Sequence, residues 1–229
     1  MSGRQYVFKQ VIERRPKSIW FSPTCGPWAG FSCLNGSRSL EAWDELLKVR
    51  LIHLEQIALG IVLFRRQRST GQHFHWEQPR NSLMFRLPYL QEVLHYLMAV
   101  DVDLCVAGDL KDPVNQLPIR KSLTILSTSE TMIHALTGLR CNGQHTHQTI
   151  EGQTKFQGQT MNRSTFTEHY PRKFARLLAR SLGKLTMNHE MPHRNWEATV
   201  FATEHPEAPP PKRAKPAARL TLSRTKPVS

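Results

Sequence analysis

The sequence predicts an α/β fold in which a mostly parallel sheet carries helices on both faces. Segments with strand-like patterns alternate along the chain with segments whose apolar residues recur every three or four positions. The chain has 229 residues, 39% of them hydrophobic, which is enough for one domain with a sizeable core. The composition changes after Gly183. We therefore expect an α/β domain over residues 1–183 and a disordered, basic, proline-rich tail over residues 184–229.

The first half of the chain predicts two helices and two strands in alternation. Residues 4–15 have helical spacing that stops at Pro16, and the short apolar run at 18–22 indicates a buried strand. Residues 40–66 give the longest helical pattern, with an acidic start and a basic end that suit the helix dipole. The alternating stretch at 73–77 predicts the second strand.

The second half continues the alternation with shorter segments. It predicts, in order, a helix at 88–98, strands at 100–107 and 121–128, a short helix ending at Gly138, and a helix bracketed by Pro171 and Gly183. Ser127 and Glu130 have the spacing of a capping box for the short helix.

The formal net charge of +13 points to a polyanionic partner, nucleic acid first and an anionic membrane second. No apolar run is long enough to span a bilayer, and the N-terminal residues lack the apolar centre of a signal peptide. Four widely spread cysteines suit free thiols in a reducing compartment, nuclear or otherwise cytoplasmic. Arg65, Arg66 and Arg68 are candidate phosphate contacts, and a solvated helix end explains them equally well.

The tail carries a candidate localisation signal. From Ala208 onward it has six basic residues and no acidic one, in a composition typical of disorder. Lys212, Arg213 and Lys215 form a short basic run in a proline-flanked segment, which is what nuclear import receptors read. The alternative is non-specific contact with nucleic acid.

Two chemical groups follow predicted strand ends, where function sits in α/β sheets. Cys25 follows the strand at 18–22, and Glu77 ends the strand at 73–77. Such a pair can act as nucleophile and proton donor. The alternative interpretation is a buried thiol in a turn and a solvated acid.

Three stretches resemble the C5-cytosine DNA methyltransferases. SPTCGPWAGFS resembles the proline-cysteine loop of that family, and HWEQP resembles its Glu-Asn strand-end motif. VDLCVAGDLKDP followed by LPIRKSLTILST is similar to the strand pair that carries the family's basic motif, with Arg120 and Lys121 in the matching place. The resemblance implies a partial Rossmann-like fold. Related methyltransferase-like segments also accompany retroelement polyproteins.

The resemblance implies roles for individual residues. In the family, the cysteine thiolate attacks C6 of a flipped-out cytosine, the glutamate holds N3, and C5 accepts a methyl group from S-adenosylmethionine. Carried over, these roles fall to Cys25 and Glu77, with Arg120 holding the base or its phosphate. Lys121 would contact nucleic acid, DNA rather than RNA.

The chain also departs from that pattern. Thr24 stands in place of the second proline of the loop, and Gln78 replaces the asparagine after the glutamate. Nothing before Cys25 resembles the glycine-containing loop that holds the cofactor. We therefore expect no cofactor on the isolated chain, and S-adenosylmethionine only if a partner chain supplies the missing half.

The stretch CNGQHTH offers an alternative chemistry for the cysteines. It holds Cys141, His145 and His147 within seven residues, with Cys105 or His134 as a fourth zinc ligand. The alternative interpretation of these residues is a polar loop that binds no metal.

The sequence thus predicts a degenerate or truncated methyltransferase-like domain that binds nucleic acid without methyltransferase activity of its own. Two alternatives stay open. One is an active half-enzyme completed by a partner chain, and the other is a non-enzymatic, metal-stabilised nucleic-acid-binding module.

Overall fold

The computed structural model describes residues 3–187, which form a four-stranded sheet, a separate hairpin and surrounding helices. The predicted tail beyond Met187, with Lys212, Arg213 and Lys215, lies outside the described residues. The elements are α1 (Gly3–Arg14), β1 (Ser18–Phe21), a 3-10 turn (Gly26–Trp28), α2 (Gly30–Gly36), α3 (Leu40–Ser69), β2 (His73–Pro79), a second 3-10 turn (Leu83–Arg86), α4 (Pro88–Leu94), β3 (Met98–Asp103), α5 (Leu104–Ala107), β4 (Ser122–Ser127), α6 (Glu130–Leu136), β5 (Gln153–Phe156), β6 (Gln159–Asn162), α7 (Arg163–Phe166) and α8 (Arg172–Met187).

The α/β class is confirmed, but the sheet is mixed rather than mostly parallel. The strand order is β1-β2-β4-β3, in which only β1 and β2 pair in parallel, while β4 runs antiparallel to both of its neighbours. The connection between β3 and β4 contains the short helix α5, and β4 returns beside β3 in the opposite direction.

Helices cover both faces of the sheet, as expected. On one face, Phe74 and Trp76 of β2 pack with Ile57 and Phe64 of α3 and with α4. The opposite face packs against α5, α6 and α8 through a second apolar cluster. That cluster includes Val102, Leu123, Ile125, Met132, Leu136, Phe174 and Leu178. Alternate residues of one strand therefore face two different cores.

The long helix α3 is well explained by its sequence. Ser39 caps it, because its side chain accepts a hydrogen bond from the Ala42 N–H at 3.1 Å. The residues that α3 buries all lie in its second half, and at Gly60 a Cβ atom would lie only 2.5 Å from the ring of Phe21. The first half exposes apolar side chains, with Leu40 85% and Leu51 64% exposed.

Several boundaries differ from the sequence prediction. Residues 100–107 are not one strand, because β3 ends at Asp103 and α5 follows. The helix predicted at 88–98 ends at Leu94, so that β3 can begin at Met98. The cap of α6 is Ser129, whose side chain accepts from the Met132 N–H at 3.2 Å, so the predicted capping box is shifted.

At its C-terminal end, α8 continues through Gly183 to Met187, four residues beyond the predicted boundary of the domain. No helix among residues 3–187 is long and apolar enough to cross a membrane.

Candidate functional site

Four potential metal ligands converge beside α5. The donor atoms of Cys105, Cys141, His145 and His147 all lie within 4.8 Å of one another, and we call these four residues the metal cluster. The Cys141 sulfur lies 3.4 Å from Nε2 of His147 and 3.7 Å from Nε2 of His145. His134, the other candidate for fourth ligand, is exposed on α6 and does not belong to the cluster.

Local backbone geometry positions the cluster. Cys105 lies on α5, directly after the sheet, whereas the other three members follow α6. Asp103, fully buried, joins the two segments: its carboxylate accepts a hydrogen bond from the Cys141 N–H at 2.7 Å and another from the Ser122 hydroxyl. Arg140 pairs with the same carboxylate at 3.1 Å.

A tight turn shapes the ligand segment itself. Gly143 has φ +78°, a conformation that favours glycine, and its N–H points at the Cys141 sulfur at 3.3 Å. Backbone N–H groups aimed at a sulfur stabilise the thiolate, which is the form that binds metal.

The distances fit zinc. With Zn–S bonds of about 2.3 Å and Zn–N bonds of about 2.05 Å, tetrahedral geometry places a sulfur and a nitrogen about 3.6 Å apart. The two measured sulfur–nitrogen distances, 3.4 and 3.7 Å, bracket that value. Two thiols and two imidazoles are also a donor set of structural zinc sites.

Burial and neighbouring charges shift the pKa values of two members of the metal cluster. Burial, a hydrogen bond with Cys141 and the nearby negative charges raise the pKa of Cys105 to about 11. Burial and the neighbouring His145 lower the pKa of His147. Two crowded thiols resist losing both protons, and a bound cation removes that resistance.

A second polar group surrounds Cys25 at the end of the parallel strand pair. Because β1 and β2 are parallel, their carboxyl ends meet at one edge of the sheet. Gln78 holds the loop after β1 there by donating to the Pro23 carbonyl at 2.7 Å. We call Cys25, Glu77, Lys121 and Tyr170 the Cys25 cluster.

Glu77 is buried, only 5% exposed, and is held by hydroxyl groups. Its Oε2 accepts a hydrogen bond from the Tyr170 hydroxyl at 2.9 Å and another from the Ser22 hydroxyl. The pKa of Tyr170 is raised, first by burial and then by the charge of Glu77. The alternative of a solvated acid therefore does not apply to Glu77.

The charges of this cluster act on the thiol. Burial raises the pKa of Cys25, Lys121 opposes the rise, and Glu77 adds to it. Lys121 is itself half-buried, with its ammonium donating to the Thr167 carbonyl. Burial lowers the pKa of Lys121, while Glu77 and Cys25 oppose that change. A catalytic role for Cys25 or Glu77 stays a prediction.

The other predicted basic residues lie elsewhere. Arg120 is exposed, and its charge acts on Asp103 and His147 at the metal cluster, whereas its neighbour Lys121 acts on Cys25. This assignment separates two residues that the methyltransferase resemblance had treated as one basic motif.

Two of the three predicted phosphate contacts on α3 have partners within the domain. Arg65 pairs with Glu92 at 3.2 Å, and the Arg68 guanidinium lies 3.6 Å from the centre of the Tyr96 ring. Arg66 is half-buried. A cation that is already paired or stacked contributes less charge toward a phosphate.

Two participants were missed from the sequence. Tyr170 reaches Glu77 across 93 residues, and only its place just before the Pro171 helix start hinted at a fixed position. Asp103 was hidden because residues 100–107 resembled one continuous strand.

Comparison with known proteins adds no relative: the chain matches no protein-family model, no curated protein and no solved structure.

Proposed function

We propose that this chain is a zinc-stabilised module that binds nucleic acid. One observation carries the proposal: two thiols and two imidazoles from separate segments have their donor atoms within 4.8 Å of one another, and the two sulfur–nitrogen distances at Cys141 suit tetrahedral zinc. The metal would tie the segment after α6 to the start of α5. That segment has little regular structure, so a bound ion would supply much of its order.

The nucleic-acid part of the proposal is supported by charge. Residues 188–229 hold seven of the 31 Lys and Arg and four of the 18 Asp and Glu, so residues 3–187 keep a net charge of +10. The positive charge therefore belongs to the folded part as well as to the tail. A basic surface of this size attracts polyanions.

The metal experiment measures zinc in the full-length chain by elemental analysis and records the visible spectrum after cobalt replaces zinc. We expect about one metal per chain and an intense thiolate-type cobalt spectrum. Cys141→Ser and His147→Asn should each lose metal, with a loss of stability on the order of several kcal/mol. Cys33→Ser and His134→Asn are matched controls, because they remove a thiol and an imidazole outside the cluster. Equal metal contents in Cys141→Ser and wild type would contradict the site.

The nucleic-acid experiment measures binding of labelled DNA and RNA over a range of salt concentrations. We expect affinity to fall steeply between low and moderate salt, with weak dependence on sequence. Absence of binding at low salt, or an affinity that salt does not change, would contradict this part of the proposal independently of the metal.

A second candidate function is a remnant of a C5-cytosine DNA methyltransferase. The support for this candidate is that the loop carrying Cys25 and the side chain of Glu77 both lie at the carboxyl ends of the parallel strands β1 and β2. Among the described residues, α1 and β1 precede Cys25, and for this candidate we propose that a partner chain supplies the cofactor-binding half. Calorimetry with S-adenosylmethionine should show no binding to the isolated chain. Binding at micromolar affinity would favour an active enzyme instead.

A further inference from the structure

An open groove runs between the end of α5 and the exposed side of α8. One wall is apolar and is formed by α5 and by the segment after α6, which also carry the ligands of the metal cluster. The other wall is formed by α8 and carries a row of arginines. The first wall consists of Val106, Ala107 and Leu139, and the α8 wall consists of Arg172, Lys173, Arg176, Leu177 and Arg180. The groove lies outside the Cys25 cluster.

The cations of α8 have no acidic partner in the part of the chain that the structure describes. The helix has five basic residues and no acidic one in its sequence RKFARLLARSLGKLTM. Within residues 3–187, no acidic side chain forms an ion pair with any of these five cations. In this they differ from Arg65 and Arg68 of α3, which have a carboxylate and a tyrosine ring as partners.

The apolar side of α8 is already used. Phe174 is fully buried and Leu178 is 6% exposed, both within the core that covers the sheet. A helix that lies on a membrane needs a free apolar face to insert among the lipids, and α8 has only its basic face available. The exposed side therefore suits a polyanion in water.

The spacing of the arginines suits an extended chain of phosphates. Arg172, Arg176 and Arg180 follow one another at four-residue intervals, so they lie about 6 Å apart along the helix axis. The apolar wall opposite them offers a surface for something flat and weakly polar. A nucleic-acid strand with unpaired bases combines both properties, because its phosphates and its base faces are accessible together.

We propose that this groove binds a single-stranded polynucleotide, with phosphates along the arginine row and bases against the apolar wall. The proposal rests on the nucleic-acid-binding function proposed above and assigns its surface and its substrate class. A duplex turns its bases inward and presents phosphates to a surface of this kind, so it would leave the apolar wall unused. Single strands should therefore bind more tightly than duplexes.

The test uses the full-length chain with labelled oligothymidine, oligouridine and a duplex of the same length, and measures fluorescence anisotropy against salt. The variant Arg176→Gln/Arg180→Gln removes two groove cations. The matched control, Arg65→Gln/Arg68→Gln, removes two exposed cations from α3 and changes the net charge equally. We expect the groove variant to lose about tenfold or more in affinity and about one to two in the salt slope. The control should lose less than about threefold.

The possible results test the proposed function, the groove assignment and the preference for single strands separately. If the wild type binds no polynucleotide at low salt, the proposed function fails and the groove assignment fails with it. If it binds but both variants weaken equally, only the groove assignment is overturned. Tighter binding of the duplex overturns the single-strand assignment, and oligothymidine against oligouridine tells DNA from RNA.

Two further controls keep the test decisive. Sedimentation with anionic phospholipid vesicles that depends on Arg176 and Arg180 would assign the groove to membranes and overturn the proposal. Thermal melting by circular dichroism checks that the variants fold. A second pair, Lys173→Gln with Arg180→Gln, repeats the test if the first pair is unstable, and the same tenfold loss is expected.

Discussion

Buried His75 should make the stability of this protein sensitive to mild acid. Its side chain is fully buried, with Nε2 2.7 Å from the Ser18 hydroxyl and Nδ1 2.8 Å from the Ser127 hydroxyl. Burial, together with the nearby His73, lowers the pKa of His75 from 6.5 to about 3. In the folded protein the imidazole of His75 therefore stays neutral at pH values at which the same side chain in the unfolded chain already binds a proton.

The sign and size of the effect follow from linkage. Because the folded-state pKa is depressed, the unfolded chain binds more protons between the two pKa values, and stability falls as the pH drops below about 6.5. Between about pH 7 and about pH 5, this single group should remove about 2 kcal/mol from the free energy of unfolding. The loss continues until the pH approaches the folded-state pKa of about 3.

The assay is urea denaturation followed by circular dichroism at several pH values, with His75→Gln beside the wild type. At neutral pH the variant should be less stable by about 1–3 kcal/mol, because hydrogen bonds to the two serines are weakened. It should then lose about 2 kcal/mol less than the wild type on acidification. His134→Gln, which removes an exposed histidine, is the matched control. The reasoning is refuted if the curves for His75→Gln and the wild type are parallel.

Three further predictions concern packing, reactivity and the tail. Gly60→Ala should destabilise the domain by about 1–3 kcal/mol in the same denaturation assay, because its methyl group would overlap an aromatic ring of β1; unchanged stability would contradict the packing. Alkylation of Cys25, followed by peptide mass spectrometry, should be faster in Glu77→Gln and slower in Lys121→Met, since the two charges move the thiol pKa in opposite directions; shifts of the same sign would contradict this. A fluorescent reporter fused to residues 206–229 should accumulate in the nucleus and lose that location when the Lys-Arg-x-Lys cluster is changed to alanine.

Elements with strong local signals could be predicted from the sequence. The helix α3 has a long apolar period and a serine cap, and β2 alternates cleanly before a proline. Each signal lies within the element itself, so no knowledge of distant residues was needed. The hairpin of β5 and β6 was missed because its strands are largely polar and exposed, although Gln157 and Gly158 both take the positive φ of a tight hairpin turn.

Strand direction could not be predicted, because it depends on a turn that non-local contacts create. Residues 100–107 have the apolar content of one strand. In the fold, the Asp103 N–H donates to the Leu139 carbonyl and the Leu104 N–H to the Lys121 carbonyl, each at 2.9 Å. These bonds end β3 and begin α5, and β4 then pairs antiparallel with β3.

The candidate site shows the same division between local and distant information. Three members of the metal cluster lie within seven residues and were predicted together from spacing. The fourth lies 36 residues away from Cys141, and spacing alone left Cys105 and His134 as alternatives. Only the fold, which brings α5 against the segment after α6, distinguishes a ligand from an exposed imidazole on a nearby helix.

The metal cluster and the α8 groove share backbone, and this leads to a last prediction. Val106 directly follows the ligand Cys105, and Leu139 precedes the ligand Cys141 by two residues. Metal removal should therefore loosen the apolar wall of the groove while it leaves the arginines of α8 in place. Chelation should weaken binding of a single strand several-fold yet leave the salt slope nearly unchanged, since the phosphate contacts persist.

The control for that prediction is Cys141→Ser, which lacks a ligand before any chelator is added. It should bind single strands as weakly as the chelated wild type and show no further loss on chelation. If chelation lowers the salt slope as much as Arg176→Gln/Arg180→Gln does, the metal holds the whole surface and not one wall. If chelation leaves affinity unchanged, the groove does not depend on the metal cluster, and the shared backbone has no consequence for binding.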